Sequence, residues 1–253
     1  PDVIYVTHEK ESIGVGDIRE QLNGTVAVKP YSSAHKIYIV DDAELMTAQA
    51  QNALLKTLEE PPSYVVILLL TTRADSFLPT ILSRCITLKL KPLYDTVIRE
   101  YLTDRLKVGK SEADICTAFA RGNLGRAIAL ASSDDFARLR RQVTSLLRNV
   151  YSMSLVQLVE VLKQWKEEKL DINECLDFMQ LWYRDVLLFK ATQDTAEFIF
   201  KDEYKTIREI AARSSFNGIE EILEGIERAR RRLAANVNFE LTMELMLLTI
   251  KEN

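Results

Sequence analysis

The 253 residues carry 33 Lys and Arg against 37 Asp and Glu, a net charge of −4, with 47% hydrophobic and 28% charged residues. That balance describes a folded globular chain rather than a disordered one, and it excludes a uniformly basic nucleic-acid-binding surface. The longest apolar run is strand-sized, far short of the roughly 20 residues a membrane-spanning helix needs, and the scattered Cys85, Cys116, Cys175, His8 and His35 exclude a clustered zinc site or a disulfide framework.

The chain opens with Pro1 rather than Met and has no basic stretch leading into a long apolar run. It therefore reads as a piece of a longer protein without a signal peptide, expected in a reducing cytoplasm and not in a membrane. All six prolines lie at or before Pro92. Turns punctuate the first third, and the remainder reads as successive helices. Split at Pro92, each part is two charges more acidic than basic.

In the first third, Val3–Val6 reads as a short strand. Asp17 with Glu20 three residues on forms a capping-box pattern that opens a helix through Leu22. Gly14-Val15-Gly16 reads as loop. Lys36–Val40 is a buried strand ending in Asp41-Asp42. Over residues 47–60, Ala50, Ala53, Leu54, Thr57 and Leu58 share one helical face, and Pro61-Pro62 ends the helix. Residues 64–70 form a continuous apolar run, as expected of a parallel strand buried on both faces. Residues 86–90 read as a final strand. Strands alternating with helices predict an α/β layer.

Residues 94–132 predict several short helices, one capped by Ser111, with a turn at residues 122–125 leading into another. From Asp134 onward there are four or more longer helices. In one of them Ile219, Ile222, Leu223, Ile226 and Leu233 make a single stripe. The last helix, with Leu241, Leu245, Met246, Leu247, Leu248 and Ile250, is apolar nearly all round, which predicts a central or interface position.

Asp41-Asp42 stands at the carboxyl end of a buried parallel strand, where α/β nucleotide enzymes hold Mg²⁺ and polarise water. Capping of the following turn accounts for the pair equally well. The residues that follow decide between these. Asn52-Ala53-Leu54-Leu55-Lys56-Thr57-Leu58-Glu59-Glu60-Pro61-Pro62 and Leu78-Pro79-Thr80-Ile81-Leu82-Ser83-Arg84-Cys85, with the acidic pair ahead of them, closely resemble the AAA+ clamp-loader subunits of bacterial DNA polymerase III. The ending Asn236-Val237-Asn238-Phe239-Glu240-Leu241 resembles the delta-prime branch of that family.

The resemblance implies an α/β plus all-α chain in three parts: an incomplete AAA+ parallel-sheet domain (1–92), a small helical lid (93–132) and a helical collar for oligomerisation (133–253). It puts Asp41 and Asp42 at the Walker B position, where ATP-hydrolysing relatives carry Glu second; Asp42 is one methylene shorter. Thr71-Thr72 resembles sensor 1, with Thr72 the residue of interest, and Arg126 in Gly125-Arg126-Ala127 resembles sensor 2. Ser83-Arg84-Cys85 resembles the motif whose arginine reaches a neighbouring subunit's ATP. A helix-end arginine paired with a local carboxylate is the plain alternative for Arg84. No G-x-x-x-x-G-K-[ST] occurs, so no cofactor is expected on this chain. The ATP and Mg²⁺ would be the neighbour's, and in the family the phosphate loop and a zinc module precede the matched region.

The implied partners are the gamma/tau and delta subunits, with the sliding clamp and primed DNA engaged through the assembled complex. An ATP-hydrolysing gamma/tau subunit and a direct DNA-binding module are the rival readings; Asp42 and Gly125-Arg126-Ala127 argue against the first. The chain alone is expected not to be an enzyme. In the same order of expectation, Arg228, Arg230, Arg231 and Arg232 read as a salt-bridged helix face, through Glu224–Arg228 and Glu227–Arg231 pairs. Trp165, Trp182 and Tyr183 read as core or interface packing rather than base-stacking residues, and His35, which precedes a strand with no ligand partner nearby, as no functional ligand.

Overall fold

The computed structural model describes Asp2 to Asn253, arranged as two compact units, Pro1–Leu90 and Lys91–Asn253. The first unit holds a three-stranded parallel sheet in the order β1 (Val3–Val6), β2 (Lys36–Val40), β3 (Val65–Leu69). Helix α1 starts at Val15–Asp17 and continues as a π-helical turn over Ile18–Asn23; α2 is Ala48–Glu59 and α3 is Pro79–Leu82. Register places Ile4, Tyr38 and Ile67 side by side, and likewise Val6, Val40 and Leu69. That face packs on Ile18, Leu22, Ala50 and Leu54, all fully buried. Asn23 ties the two helices together: its amide donates to the Ala53 carbonyl at 2.8 Å and accepts from the Thr57 hydroxyl at 2.8 Å.

Four expectations for this unit need correction. Asp17 is not a cap. Gly14 caps α1 and donates its N–H to the Asp17 carboxylate at 2.7 Å, so Gly14-Val15-Gly16 opens the helix rather than forming a loop. The run at residues 64–70 is a strand but not one buried on both faces, because Val66, Leu68 and Leu70 are exposed together with Val3 and Tyr5. The apolar run therefore marks a sheet with one face uncovered. Residues 86–90 form no strand. Ile86, Leu88 and Leu90 alternate as a strand would, yet are 81–94% exposed, because β3 pairs with β2 alone and the segment has no strand to join among the described residues. The edge of β3 away from β2 has no partner strand among the described residues.

The second unit is helical: α4 (Asp95–Glu100), α5 (Lys110–Ala120), α6 (Leu124–Ala131), α7 (Asp134–Asn149), α8 (Leu155–Glu167), α9 (Ile172–Thr192), α10 (Tyr204–Arg213), α11 (Phe216–Ala234) and α12 (Phe239–Glu252). One hydrophobic core runs through it from Ile98 to Ile250. Its centre is α9, which buries Leu176, Phe178, Met179, Trp182, Tyr183 and Val186 completely. Phe178 and Trp182 pack their rings against Phe200, at 4.7 and 5.4 Å between centroids. The α12 expectation is corrected accordingly: Met243, Met246, Leu247 and Ile250 are buried, but Leu241 and Leu245 face outward. Ser111 is no cap either; Gly109 occupies that position and the Ser111 hydroxyl donates to Asp202.

Two buried carboxylates hold the irregular segments of this unit. Asp185, fully buried, accepts the backbone N–H groups of Ile199 and Phe200 at 2.8 and 2.9 Å. Burial pushes its carboxyl upward, partly opposed by those two N–H groups and by Arg184. Asp114, on α5, is paired with Arg99 of α4 and, at 2.9 Å, with Lys201.

Gly122, between α5 and α6, has φ of +86°, and an added Cβ would lie 2.3 Å from Pro92 Cβ. Gly122→Ala should destabilise the second unit by about 2–4 kcal/mol, from the left-handed backbone and the overlap together; urea unfolding followed by helical circular dichroism checks this. Amide exchange should find residues 86–90 unprotected while α9 exchanges slowest of all.

Candidate functional site

The Walker B-like and sensor-like residues of the first unit meet at the carboxyl end of its sheet. Asp41 and Asp42 follow β2, and both are exposed. Asp42 is left-handed, with φ of 44°, and takes its N–H to the Asp41 carboxylate at 3.1 Å. Left-handed backbone at a residue with a Cβ is costly and survives where the surroundings dictate it. Here Leu70 N–H donates to the Val40 carbonyl and Ala43 N–H to the Leu70 carbonyl, so the chain is drawn across from β2 to the end of β3.

Glu44 completes that crossing. Its carboxylate accepts the Thr72 hydroxyl at 2.8 Å and the Thr72 N–H at 3.2 Å. The Thr71 hydroxyl, the residue's own backbone N–H and Thr72 together hold the Glu44 carboxyl down to about 2, against a smaller opposing effect of burial. Thr72, the sensor-1-like residue, thus spends its hydroxyl on Glu44. Sequence reasoning passed over Glu44, although an acid two residues beyond Asp42 and a Thr-Thr pair after the next strand were the available signal.

Arg84 lies elsewhere. Thr47 caps the start of α2, accepting the Ala50 N–H at 3.2 Å, and its own N–H donates to the Ile13 carbonyl. The helix then runs 12 residues, roughly 18 Å, to Glu59. The Arg84 guanidinium is 2.6 Å from the Glu59 carboxylate at that far end. It also donates to the Thr80 carbonyl at 3.0 Å and the Ser83 hydroxyl at 3.2 Å. The local-carboxylate pairing is therefore real. The pair is a third to half exposed, so it contributes little to stability.

Ser83 and Cys85 have separable parts. The Ser83 hydroxyl accepts from Arg84 while donating to the Thr80 carbonyl at 3.1 Å. Cys85 packs on the sheet-side core, and burial raises its thiol. Cys116 and Cys175 are buried in the helical unit, the first pushed up to about 11 and the second further, which makes both poor nucleophiles. Gln51 links α2 to α3: its amide donates to the Met46 carbonyl at 3.3 Å and to the Ser76 carbonyl at 3.4 Å, and its carbonyl accepts the Leu78 N–H at 2.8 Å.

Arg126 belongs to the second unit, on α6, with its guanidinium 4.0 Å from the Glu174 carboxylate. The arginine-rich face of α11 is salt-bridged in part as expected. Arg228 pairs with Glu224 at 3.9 Å, but Glu227 pairs with Arg230, at 3.5 Å, rather than with Arg231. Arg230 also reaches Asp177 on α9 at 2.8 Å. Trp165, Trp182 and Tyr183 are core and His35 is exposed.

The 253 residues contain no phosphate-loop motif, the second Walker B-like acid is short and turned into a left-handed position, and Thr72 is engaged by Glu44.

Family models described as "DNA polymerase III, delta subunit" and "DNA polymerase III, delta subunit, C terminal" match residues 1–94 and 134–252. The chain is 31% identical to the DNA polymerase III subunit delta' of Bacillus subtilis, over 100% of this chain and 76% of that protein. It is 24% identical to the tau subunit of the same organism, over 92% of this chain and 45% of that one. A crystal structure of a DNA polymerase III gamma subunit-related protein from Thermotoga maritima matches with a TM-score of 0.52 and 26% identity, covering 99% of this chain and 83% of the other. Among the described residues no helix is long and apolar enough to cross a membrane.

The Glu44 geometry makes a pH prediction. A carboxyl lowered from about 4.5 to about 2 adds stability that is present above pH 4.5 and is lost as pH falls through 2. Glu44→Gln should remove that increment, so unfolding midpoints of variant and wild type, apart at pH 6, converge as the pH approaches 2.

Proposed function

The chain belongs to the DNA polymerase III clamp-loader subunit family, and on that premise we propose that it acts as a delta-prime-type subunit lending Arg84 to a neighbouring subunit's ATP. The observation that carries this reading is the length of α2. Arg84 is anchored at the far end of a rigid helix, roughly 18 Å from the end that follows Asp41 and Asp42. An arginine so placed is remote from its own subunit's Walker B-like acids. Its guanidinium is one-third exposed, able to meet a phosphate carried by another chain.

In this reading Arg84 adds positive charge and two directed N–H donors where negative charge develops on a transferring phosphoryl group. An arginine supplied in trans is worth about 10³–10⁵ in rate in other phosphoryl-transfer systems. Lysine offers a point charge without the planar fork and is a poor substitute. Asp42, Glu44 and Thr72 support a subunit that does not hydrolyse ATP itself. The 93–132 segment would serve as lid and the 133–253 segment as collar, with Leu241 and Leu245 on the outer face of α12 available to a neighbouring collar helix. Gamma/tau and delta subunits are the proposed neighbours. Loading of the sliding clamp onto primed DNA is the proposed outcome of the assembly, in the cytoplasm, with Mg²⁺–ATP bound by the neighbour.

Reconstitution with partner subunits, clamp and primed DNA tests the reading. Arg84→Ala should lower stimulated ATP hydrolysis severalfold or more while leaving assembly intact by gel filtration, and Arg84→Lys should recover little. An unchanged rate for Arg84→Ala removes the trans-arginine role.

A further inference from the structure

We infer that Glu59 is a positioning residue for Arg84, holding the guanidinium in the orientation it presents to the neighbouring subunit; this rests on the trans-arginine reading above. Glu59 sits in the last turn of α2, where the helix dipole disfavours an acid. An acid kept against that local preference has a task in the tertiary structure. Its partner is Arg84: the Glu59 carboxylate lies 2.6 Å from Arg84 Nη2.

The other two acceptors, the Thr80 carbonyl and the Ser83 hydroxyl, both engage Nη1. One guanidinium nitrogen held alone leaves the plane free to swing. Adding Glu59 on the second nitrogen, from a different helix, fixes the plane. The guanidinium has five N–H groups in a rigid fork, so donors remain for phosphate oxygens after these three contacts. Pro61-Pro62 stops α2 after Glu59, with Glu60 as its C-cap, which keeps Glu59 in the last helical turn rather than on a loop. Ordering a long side chain before the partner arrives lowers the cost of ordering it on assembly.

The test is a double-mutant cycle in the reconstituted complex, reading stimulated ATP hydrolysis for Glu59→Ala, Arg84→Ala and the double variant. Glu59→Ala should lower kcat about three- to tenfold, the size expected from freeing one rotamer-rich side chain. The double variant should be no slower than Arg84→Ala alone, because a positioning residue has nothing left to position. Glu59→Gln, which keeps the shape and a neutral acceptor, should fall between wild type and Glu59→Ala. A drop for Arg84→Ala with an unchanged or faster Glu59→Ala overturns the Glu59 inference and leaves the Arg84 reading standing. Additive losses in the double variant overturn it in the same way, since they show Glu59 acting through the fold. No effect of Arg84→Ala overturns both.

Discussion

Helix α2 cannot bend over its three turns, and most of what the first unit does follows from what is attached to its two ends. At its start, a few residues after Asp41 and Asp42, Thr47 caps the helix and ties it through the Ile13 carbonyl to the segment that leaves β1. At its end Glu59 grips Arg84. Between them, Gln51 hydrogen-bonds to three backbone groups and so fixes α3, which delivers Arg84. A helix of fixed rise turns sequence spacing into a fixed distance, and that distance separates the acids from the arginine.

The sheet beside α2 is satisfied on one side only. Its helix-covered face is packed and hydrogen-bonded, down to Lys36, whose buried ammonium donates to the Thr25 and Val28 carbonyls at 2.6 and 3.1 Å. Asp2 similarly collects the N–H groups of Tyr31, Ser32 and Ser33, which hold its carboxyl well below the usual range. The opposite face presents Val3, Tyr5, Val66 and Leu68 to solvent, and among the described residues the free edge of β3 faces no strand.

The helical unit solves a different problem. Its core is continuous, and its irregular connections survive because buried acids take their free N–H groups or pair with cations reaching in from other elements. Asp185 does this for Ile199 and Phe200, and Asp114 for Arg99 and Lys201. Removing Asp185 would leave the buried Phe200 N–H unpaired, which costs far more than the net worth of the bond itself, whereas Arg99 and Lys201 are nearly half exposed and can turn to water.

Much of this was legible in the residues. Periodicity marked β1, β2 and α2 with nearly their observed limits, because short-range burial patterns and Pro61-Pro62 are local physics. The Ser-Arg-Cys stretch marked Arg84 by type, and the chain's own carboxylates offered a partner without saying which. What the residues alone could not decide is anything set by a partner distant in the chain. Residues 86–90 have a strand's alternation but no strand to pair with; the run at 64–70 is apolar on both faces though only one is covered. Glu59 meets Arg84, and Glu44 meets Thr72, because β2, α2 and β3 lie side by side. Local sequence determined most of the helices and strands, residues 86–90 excepted, and which residues carried charge; the tertiary structure alone determined which strands pair and which charges meet, since hydrogen bonds and ion pairs depend on separations of a few ångströms between residues 25 to 28 apart in the chain.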